Sequence, residues 1–312
     1  MEKKIFIKRA SVFIILTLSI LLTIQFFIDS KMESIKTGYV GKINRVIQND
    51  VNEDLTIWGA STAEGNVIPK VLQDSLGLSV FNMGLDGTNI HQYGGLLEKY
   101  LQQVNNKIII LAFDINGGLM RRKSPYHLYN WLHTFNQELI TETYYDIDYI
   151  QTLKIKYIPF YKLIIYGKHN LKYFKASVDS FTFKQGGFTP RNGVINPSGK
   201  EREITFPNDS TIVKNIRRIC KLANINNNKI FILLTPCFNY GLKQGINTEL
   251  ILNNFKSLQN DKTHFLNFVN HPMNLEKKYF KDNTHLNNTG AIFFSKLITD
   301  TLKKYFLSDH YE

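Results

Sequence analysis

The stretch Leu55-Thr56-Ile57-Trp58-Gly59-Ala60-Ser61 decides the fold of this sequence. Its first four residues are apolar or β-branched, as in a buried strand. The small residues from Gly59 to Ala63 end that pattern, and helical spacing begins at residues 69–76. A strand that turns sharply into a helix leaves one side chain at the carboxyl edge of a sheet, where open α/β sheets bind ligands. Ser61 is the side chain in that position.

Strand-like and helix-like segments alternate along most of the remaining chain. Continuous apolar runs at residues 107–113 and 229–236 indicate strands that are buried on both faces of a parallel sheet. Weaker strand signals lie at 80–81 and 264–269. Apolar residues at helical spacing lie between or after these runs, at 91–104, 212–223, 249–258 and 287–305. This alternation predicts a parallel, doubly wound α/β sheet.

The amino terminus predicts a membrane anchor. Basic residues between Lys3 and Arg9 precede an uncharged apolar run from Ser11 to Ile28, which is about the length that crosses a bilayer as a helix. Positive charges before the run place the amino terminus in the cytoplasm and the rest of the chain outside. No small-residue cleavage site follows, which favours an uncleaved signal anchor over a cleaved signal peptide.

The domain organisation follows from these patterns. We predict a cytoplasmic tip and transmembrane anchor at residues 1–30, a stalk at 31–53 and one α/β domain at 54–312. Residues 117–208 interrupt the alternation with an aromatic-rich, basic segment, which we interpret as an inserted helical subdomain with its own small core. A lid or substrate platform is the other interpretation, since long insertions at a ligand-binding edge often shape specificity.

Composition excludes several classes of protein. The chain has 312 residues, 43% of them hydrophobic and 21% charged, which is ordinary for a globular protein. Its net charge of +12 would suit an anionic membrane surface or an acidic polymer. Zinc-finger spacing and dense basic patches are missing, so we predict no nucleic-acid partner. Cys220 and Cys237 lack metal-ligand spacing; two buried thiols or one disulfide remain open.

An acid and an imidazole near the other end of the chain complete a possible catalytic unit. A serine hydroxyl needs a base within hydrogen-bond reach, and that base needs an orienting acid. Asp282 and His285 are three residues apart, so the carboxylate can reach one ring nitrogen and leave the other for Ser61. The main-chain N–H groups of Ser61 and Gly84 suit an oxyanion hole, because glycine allows a close backbone approach.

Three segments resemble the first, second and last sequence blocks of the SGNH (GDSL-type) hydrolases. They are residues 57–61, residues 82–84 and residues 282–287, in the same order along the chain. Residues 281–290 are the most specific match. The resemblance covers residues 55–113 and 211–307, but neither the anchor nor the insertion.

The resemblance implies a three-layer α/β/α sandwich around a flavodoxin-like parallel sheet, with Ser61 as nucleophile, His285 as base and Asp282 as its partner. It points to the membrane-anchored, extracytoplasmic branch that handles acyl groups on cell-envelope polymers. The implied activity is that of an acyl esterase or O-acyltransferase without a metal or cofactor. The implied partners are an acylated glycan or small ester, the membrane and a membrane-bound O-acyltransferase.

Two positions depart from the family pattern. Ala60 replaces the usual acidic residue before the nucleophile, and Asp114 stands where the third block has an asparagine. An ionised aspartate cannot donate an oxyanion hydrogen bond, and Asn116 is a weak substitute.

Other interpretations remain open at this point. Ser61 and Asp282 could each cap a helix, and Thr62 is a weak rival nucleophile. Gly59-Ala60-Ser61-Thr62-Ala63 half resembles the nucleophile elbow of α/β-hydrolases, although that fold needs sheet strands before the elbow. No phosphate-binding glycine pattern is present. The alternative from another functional class is an anchored protein without catalysis, which uses the same cleft to hold a glycan or to dock a membrane partner as an accessory protein for polysaccharide acylation.

Overall fold

The fold is built around a five-stranded sheet in which every strand is parallel. The computed structural model describes residues 2–169, 185–197, 203–238 and 245–308. Its strands are β1 (Leu55–Gly59), β2 (Val80–Asn82), β3 (Ile108–Phe113), β4 (Lys229–Leu234) and β5 (Thr263–Asn267). Their order in the sheet is β2-β1-β3-β4-β5. This flavodoxin-like order confirms the predicted doubly wound sheet.

Helices cover both faces of the sheet. In chain order they are α1 (Glu2–Glu33), α2 (Gly38–Ile47), α3 (Ser61–Asn66), α4 (Pro69–Leu76), α5 (Ile90–Gln103), α6 (Glu138–Ile147), α7 (Tyr149–Tyr157), α8 (Tyr161–His169), α9 (Ser210–Ile225), α10 (Thr248–Lys256) and α11 (Asn288–Ser308). Short 3₁₀ turns lie at Leu128–Asn130, Leu132–Thr134, Pro272–Leu275 and Lys277–Tyr279.

Two hydrophobic clusters define the three layers. Alternate residues of β3 show the division, because Ile109 and Leu111 pack with α2, α5, α9 and α10, whereas Ile110 and Ala112 pack with α3, α4 and α11. Successive side chains of a strand point to opposite faces, so a strand covered on both faces is apolar throughout. The three-layer α/β/α sandwich is therefore confirmed.

The segment predicted as a stalk at 31–53 belongs largely to the folded domain. Helix α2 buries Val40, Ile43 and Val46 in the same cluster as α5. The amide of Asn44 donates to the carbonyls of Met32 and Ile35 at 2.7 and 2.9 Å. These carbonyls lie at and just beyond the end of α1, where regular helical hydrogen bonding stops. The domain therefore begins well before residue 54.

The insertion at 117–208 also differs from its prediction. Its described helices α6, α7 and α8 contribute Tyr144, Ile155 and Tyr166 to the large cluster shared with α2 and α5. Trp131 of the preceding turn is buried there as well. These side chains extend the main core, and the described part of the insertion forms no separate one. Residues 170–184 and 198–202 of the predicted insertion lie outside the described part.

Helix α1 is long and apolar enough to cross a membrane. Its most apolar window has no buried residue, unlike the core helix of a soluble protein. At its carboxyl end, Met32 packs into the core of the domain, which places the domain directly at the end of the candidate span.

Candidate active site

The turn after β1 presents Ser61 at the carboxyl edge of the sheet. Gly59 ends β1 with a φ of +153°, and a Cβ there would lie 2.5 Å from the carbonyl oxygen of Ala112 and 2.7 Å from Ala63. Only glycine fits this close approach. Ala60 then separates the strand from α3, whose first residue is Ser61. The N–H of Ser61 belongs to the first turn of α3, where main-chain donors have no intrahelical acceptor.

The structure brings together the three side chains that the sequence paired. Ser61 Oγ lies 2.7 Å from His285 Nε2. His285 Nδ1 lies 2.9 Å from both carboxylate oxygens of Asp282. With the ring proton on Nδ1 donated to Asp282, Nε2 is free to accept the Ser61 hydroxyl proton. These contacts have the geometry of a nucleophile, a base and an orienting acid.

Asp282 hydrogen-bonds the imidazole of His285 and does not cap the last helix. Asn287 takes that capping position, because its Oδ1 accepts the N–H of Gly290 at 3.0 Å. The Oδ1 of Asp282 accepts the N–H groups of His285 and Thr284, at 2.9 and 3.1 Å. Burial favours the neutral acid, but these hydrogen bonds and the charge of His285 outweigh it and hold the pKa of Asp282 well below its usual range.

Asn66 joins the two parts of the chain that meet at this site. Its Oδ1 accepts the N–H of Leu286 at 2.9 Å, and its Nδ2 donates to the carbonyl of Thr284 at 3.2 Å. Both residues flank His285, whereas Asn66 ends the helix that begins with Ser61. The sequence analysis missed this residue, and no local pattern identifies it, because its partners are 218 and 220 positions away.

Gly84 lies close to α3, but its N–H already has a partner. That N–H donates to Asn82 Oδ1 at 2.8 Å. The buried Asn82 also donates to the carbonyls of Ala63 and Val67. A Cβ on Gly84 would lie 2.6 Å from the main-chain nitrogen of Glu64. Packing alone therefore accounts for glycine here, and an oxyanion role for Gly84 requires its N–H to leave or share the bond to Asn82.

Asp114 is the residue that the sequence analysis noted in place of an asparagine of the SGNH pattern. Its Oδ1 accepts the N–H groups of Asn116 and Gly117 at 2.9 and 2.7 Å. Together with Ala60 it lines a cavity of about 50 Å³. Burial raises the pKa of Asp114, although the two N–H groups and the charge of His285 lower it. The side chain of Asn116 lies near the thiol of Cys237, and its oxyanion role stays a prediction.

Thr62 and the two cysteines, which the sequence analysis also considered, are buried. The Oγ1 of Thr62 is enclosed without a hydrogen-bond partner, which excludes it as an accessible nucleophile. Cys220 and Cys237 are free and buried, so they form no disulfide. Burial raises the pKa of each thiol to about 12, and neither thiol is reactive at neutral pH.

A buried lysine contacts the elements next to the turn that carries Ser61. Lys42 Nζ, on α2, donates to the carbonyls of Gly84 and Gly187 at 2.7 and 2.8 Å. It also lies 3.4 Å from Glu64 Oε1, and both side chains are almost fully buried. Tyr39 donates to the other Glu64 oxygen at 3.1 Å. Burial lowers the pKa of Lys42, and the charge of Glu64 opposes that shift. This network joins α2 to α3 and to the loop that follows β2.

Comparison with known proteins adds no assignment: no family model and no curated protein matches this chain.

Proposed function

We propose that this protein is a serine-dependent acyl ester hydrolase or O-acyltransferase of the SGNH type. The observation that carries the proposal is the 2.7 Å contact between Ser61 and His285, which are 224 positions apart in the chain. A serine that hydrogen-bonds an imidazole oriented by a carboxylate is the arrangement that activates a hydroxyl nucleophile. The low pKa of Asp282 keeps its carboxylate ionised, so it can stabilise the imidazolium that forms during attack.

The reaction has two steps. Ser61 Oγ attacks the ester carbonyl as His285 Nε2 takes the hydroxyl proton, and the alcohol leaves with that proton, which gives an acyl-enzyme. Water or a sugar hydroxyl then loses a proton to His285 and attacks the acyl-enzyme, so the acyl group passes to the acceptor and Ser61 is regenerated. Hydrolysis and transfer use the same residues and differ only in the acceptor.

We further propose that α1 anchors the protein to a cell membrane in a single pass, with the domain on the extracytoplasmic face. The basic residues before the apolar run support this orientation. An acylated cell-envelope glycan or a similar polymer is the substrate class that fits this location. A membrane-bound O-acyltransferase is the partner that the transferase reaction would need.

Substitution of the three residues tests the catalytic proposal. Turnover of a chromogenic acetyl ester should fall by about 10⁴-fold or more in Ser61→Ala and in His285→Ala. In Asp282→Asn it should fall by about 10⁴-fold. Asn283→Ala is the matched control, because Asn283 lies in the same loop and its side chain is exposed. Its main-chain carbonyl accepts the N–H of Phe238, and the substitution keeps that bond. Wild-type turnover by the Ser61 and His285 variants would refute the assignment.

One observation favours a second function, a glycan-binding protein without catalytic activity. The N–H of Gly84 is engaged by Asn82, and Asp114 replaces an expected amide donor. A missing oxyanion donor typically costs about 10²–10³-fold in rate. Labelling with a fluorophosphonate separates the two functions: a reactive Ser61 supports the enzyme, whereas an unreactive Ser61 with retained glycan binding supports the binding protein.

A further inference from the structure

Two helices of the insertion lie against the carboxyl end of α1. We call residues 149–169, which comprise α7, a short turn and α8, the anchor-side hairpin. Lys162 Nζ lies 2.9 Å from Asp29 Oδ2, and the hydroxyl of Tyr166 donates to Asp29 Oδ1 at 2.8 Å. Asp29 is the first charged residue after the apolar run of α1. These contacts fix the hairpin at the level where the candidate membrane span ends.

The hairpin also lies beside the apolar run itself. A groove of about 370 Å³ is lined by Leu22 and Gln25 of α1 and by residues 155–159 of the hairpin. Leu22 precedes Asp29 by seven residues, which is about 10 Å along a helix. When α1 spans a membrane, the turn of the hairpin is therefore level with the last two turns of the span. This depth matches the boundary between lipid head groups and acyl chains.

The exposed side chains of the hairpin are unusual for a surface in water. Tyr157 is 65% exposed and Ile164 is 67% exposed. Other exposed apolar side chains of the hairpin are Tyr149, Ile150 and Ile158. Lys154 and Lys156 are exposed beside them, and residues 149–169 contain no Asp or Glu. Tyrosine, aliphatic residues and lysine without acidic residues are the composition of a surface that lies in a membrane interface.

We propose that the anchor-side hairpin lies in the head-group layer of the membrane that α1 spans. Its exposed apolar side chains reach the acyl boundary, while Lys154 and Lys156 contact the phosphates of anionic lipids. The hairpin and α1 then hold the domain at two places, so the domain cannot rotate freely above the bilayer. The inference requires α1 to be inserted but does not depend on catalysis at Ser61.

Fluorescence quenching in reconstituted full-length protein tests this arrangement. Single cysteines replace Ile158, Phe13 in the middle of α1, and Ile225, an exposed residue of α9, and each carries an environment-sensitive fluorophore. The native cysteines are buried and stay unlabelled. Nanodiscs contain anionic lipid and either a head-group or a deep acyl-chain nitroxide. We expect the head-group nitroxide to quench more than half of the fluorescence at Ile158→Cys and little at Ile225→Cys, and the deep nitroxide to quench Phe13→Cys.

The outcomes separate the hairpin from the anchor and from catalysis. Quenching at Phe13→Cys without quenching at Ile158→Cys overturns the inference. A second copy of the chain that covers the hairpin would give this same result. Equal quenching at Ile158 and Ile225 also overturns it, because contact would not be specific. No quenching at Phe13 means that α1 is not inserted, and the inference fails with it. Lys154→Gln together with Lys156→Gln should weaken quenching at Ile158 in anionic nanodiscs; unchanged quenching overturns the role given to the lysines.

Discussion

Acidification is expected to destabilise this protein through one buried histidine. His133 lies in the 3₁₀ turn before α6 and is only 4% exposed. Its Nε2 lies 2.8 Å from Asn44 Oδ1, whereas its Nδ1 is buried without a partner. Burial, and then the charge of Lys162, lowers the pKa of His133 to about 3. The folded protein therefore holds this imidazole in its neutral form.

The size and direction of the effect follow from the two pKa values. An unfolded histidine titrates near 6.5, so between about pH 6.5 and pH 3 unfolding takes up a proton that the folded state excludes. The free energy of unfolding is therefore unaffected above this range and falls as the pH drops through it. At pH 5 the loss from this one residue is about 2 kcal/mol.

Urea unfolding of the detergent-solubilised chain between pH 8 and pH 5 measures this loss. His133→Gln keeps an amide donor for Asn44 but cannot titrate. Between pH 8 and pH 5 its free energy of unfolding should therefore fall by about 2 kcal/mol less than that of the unsubstituted protein. Asp282 does not interfere: its pKa is lowered, so its contribution is kept until the pH falls below about 4, the range of an unfolded aspartate. Parallel pH curves for the two proteins would refute the reasoning.

Three further substitutions test other contacts. Asp114→Asn keeps an Oδ1 for the two main-chain N–H groups and adds an amide donor, so kcat for an acetyl ester should rise by about tenfold or more; a fall in kcat would contradict a missing oxyanion donor. Lys42→Met strands Glu64 without its cation, so urea unfolding should show a loss of about 3–5 kcal/mol, largely recovered by adding Glu64→Gln. Without recovery, the ion pair is not the cause. Asn66→Ala releases the loop around His285, and kcat should fall by about 10²-fold with a smaller change in KM; an unchanged kcat would remove Asn66 as a positioning residue.

Local patterns were enough to predict the sheet and the proximity of Ser61, His285 and Asp282. The runs that became β3 and β4 are apolar throughout because helices cover both faces of the sheet, and that composition is visible in the sequence. The position of Ser61 followed from the end of β1. The contact of Asp282 with His285 followed from a spacing of three residues.

Long-range polar contacts could not be predicted in the same way. The segment 31–53 was predicted as a stalk because it is polar and weakly patterned. It contains Lys42, and lysine is almost never fully buried unless it is paired. The burial of Lys42 depends on carbonyls 42 and 145 positions away, which leave no periodic signal. The bond from the Gly84 N–H to Asn82 spans only two residues, as in an Asx turn. The bonds from Asn82 to the carbonyls of Ala63 and Val67 span 19 and 15 positions and leave no such signal. The aromatic insertion interrupts the alternation of strands and helices, so it was interpreted as a subdomain with its own core. Its contacts with the cluster of α2 and α5 join segments that are far apart in the sequence and leave no local pattern.

The position of α2 limits how the domain can be detached from its membrane helix. A cut near residue 50 would remove the ammonium group that neutralises Glu64 and the apolar side chains that cover α5. A cut between Ile28 and Met32 would retain both, together with the carbonyls that Asn44 binds. Shedding by a protease, or recombinant secretion without the anchor, should therefore yield a folded product only when the chain starts at the end of α1.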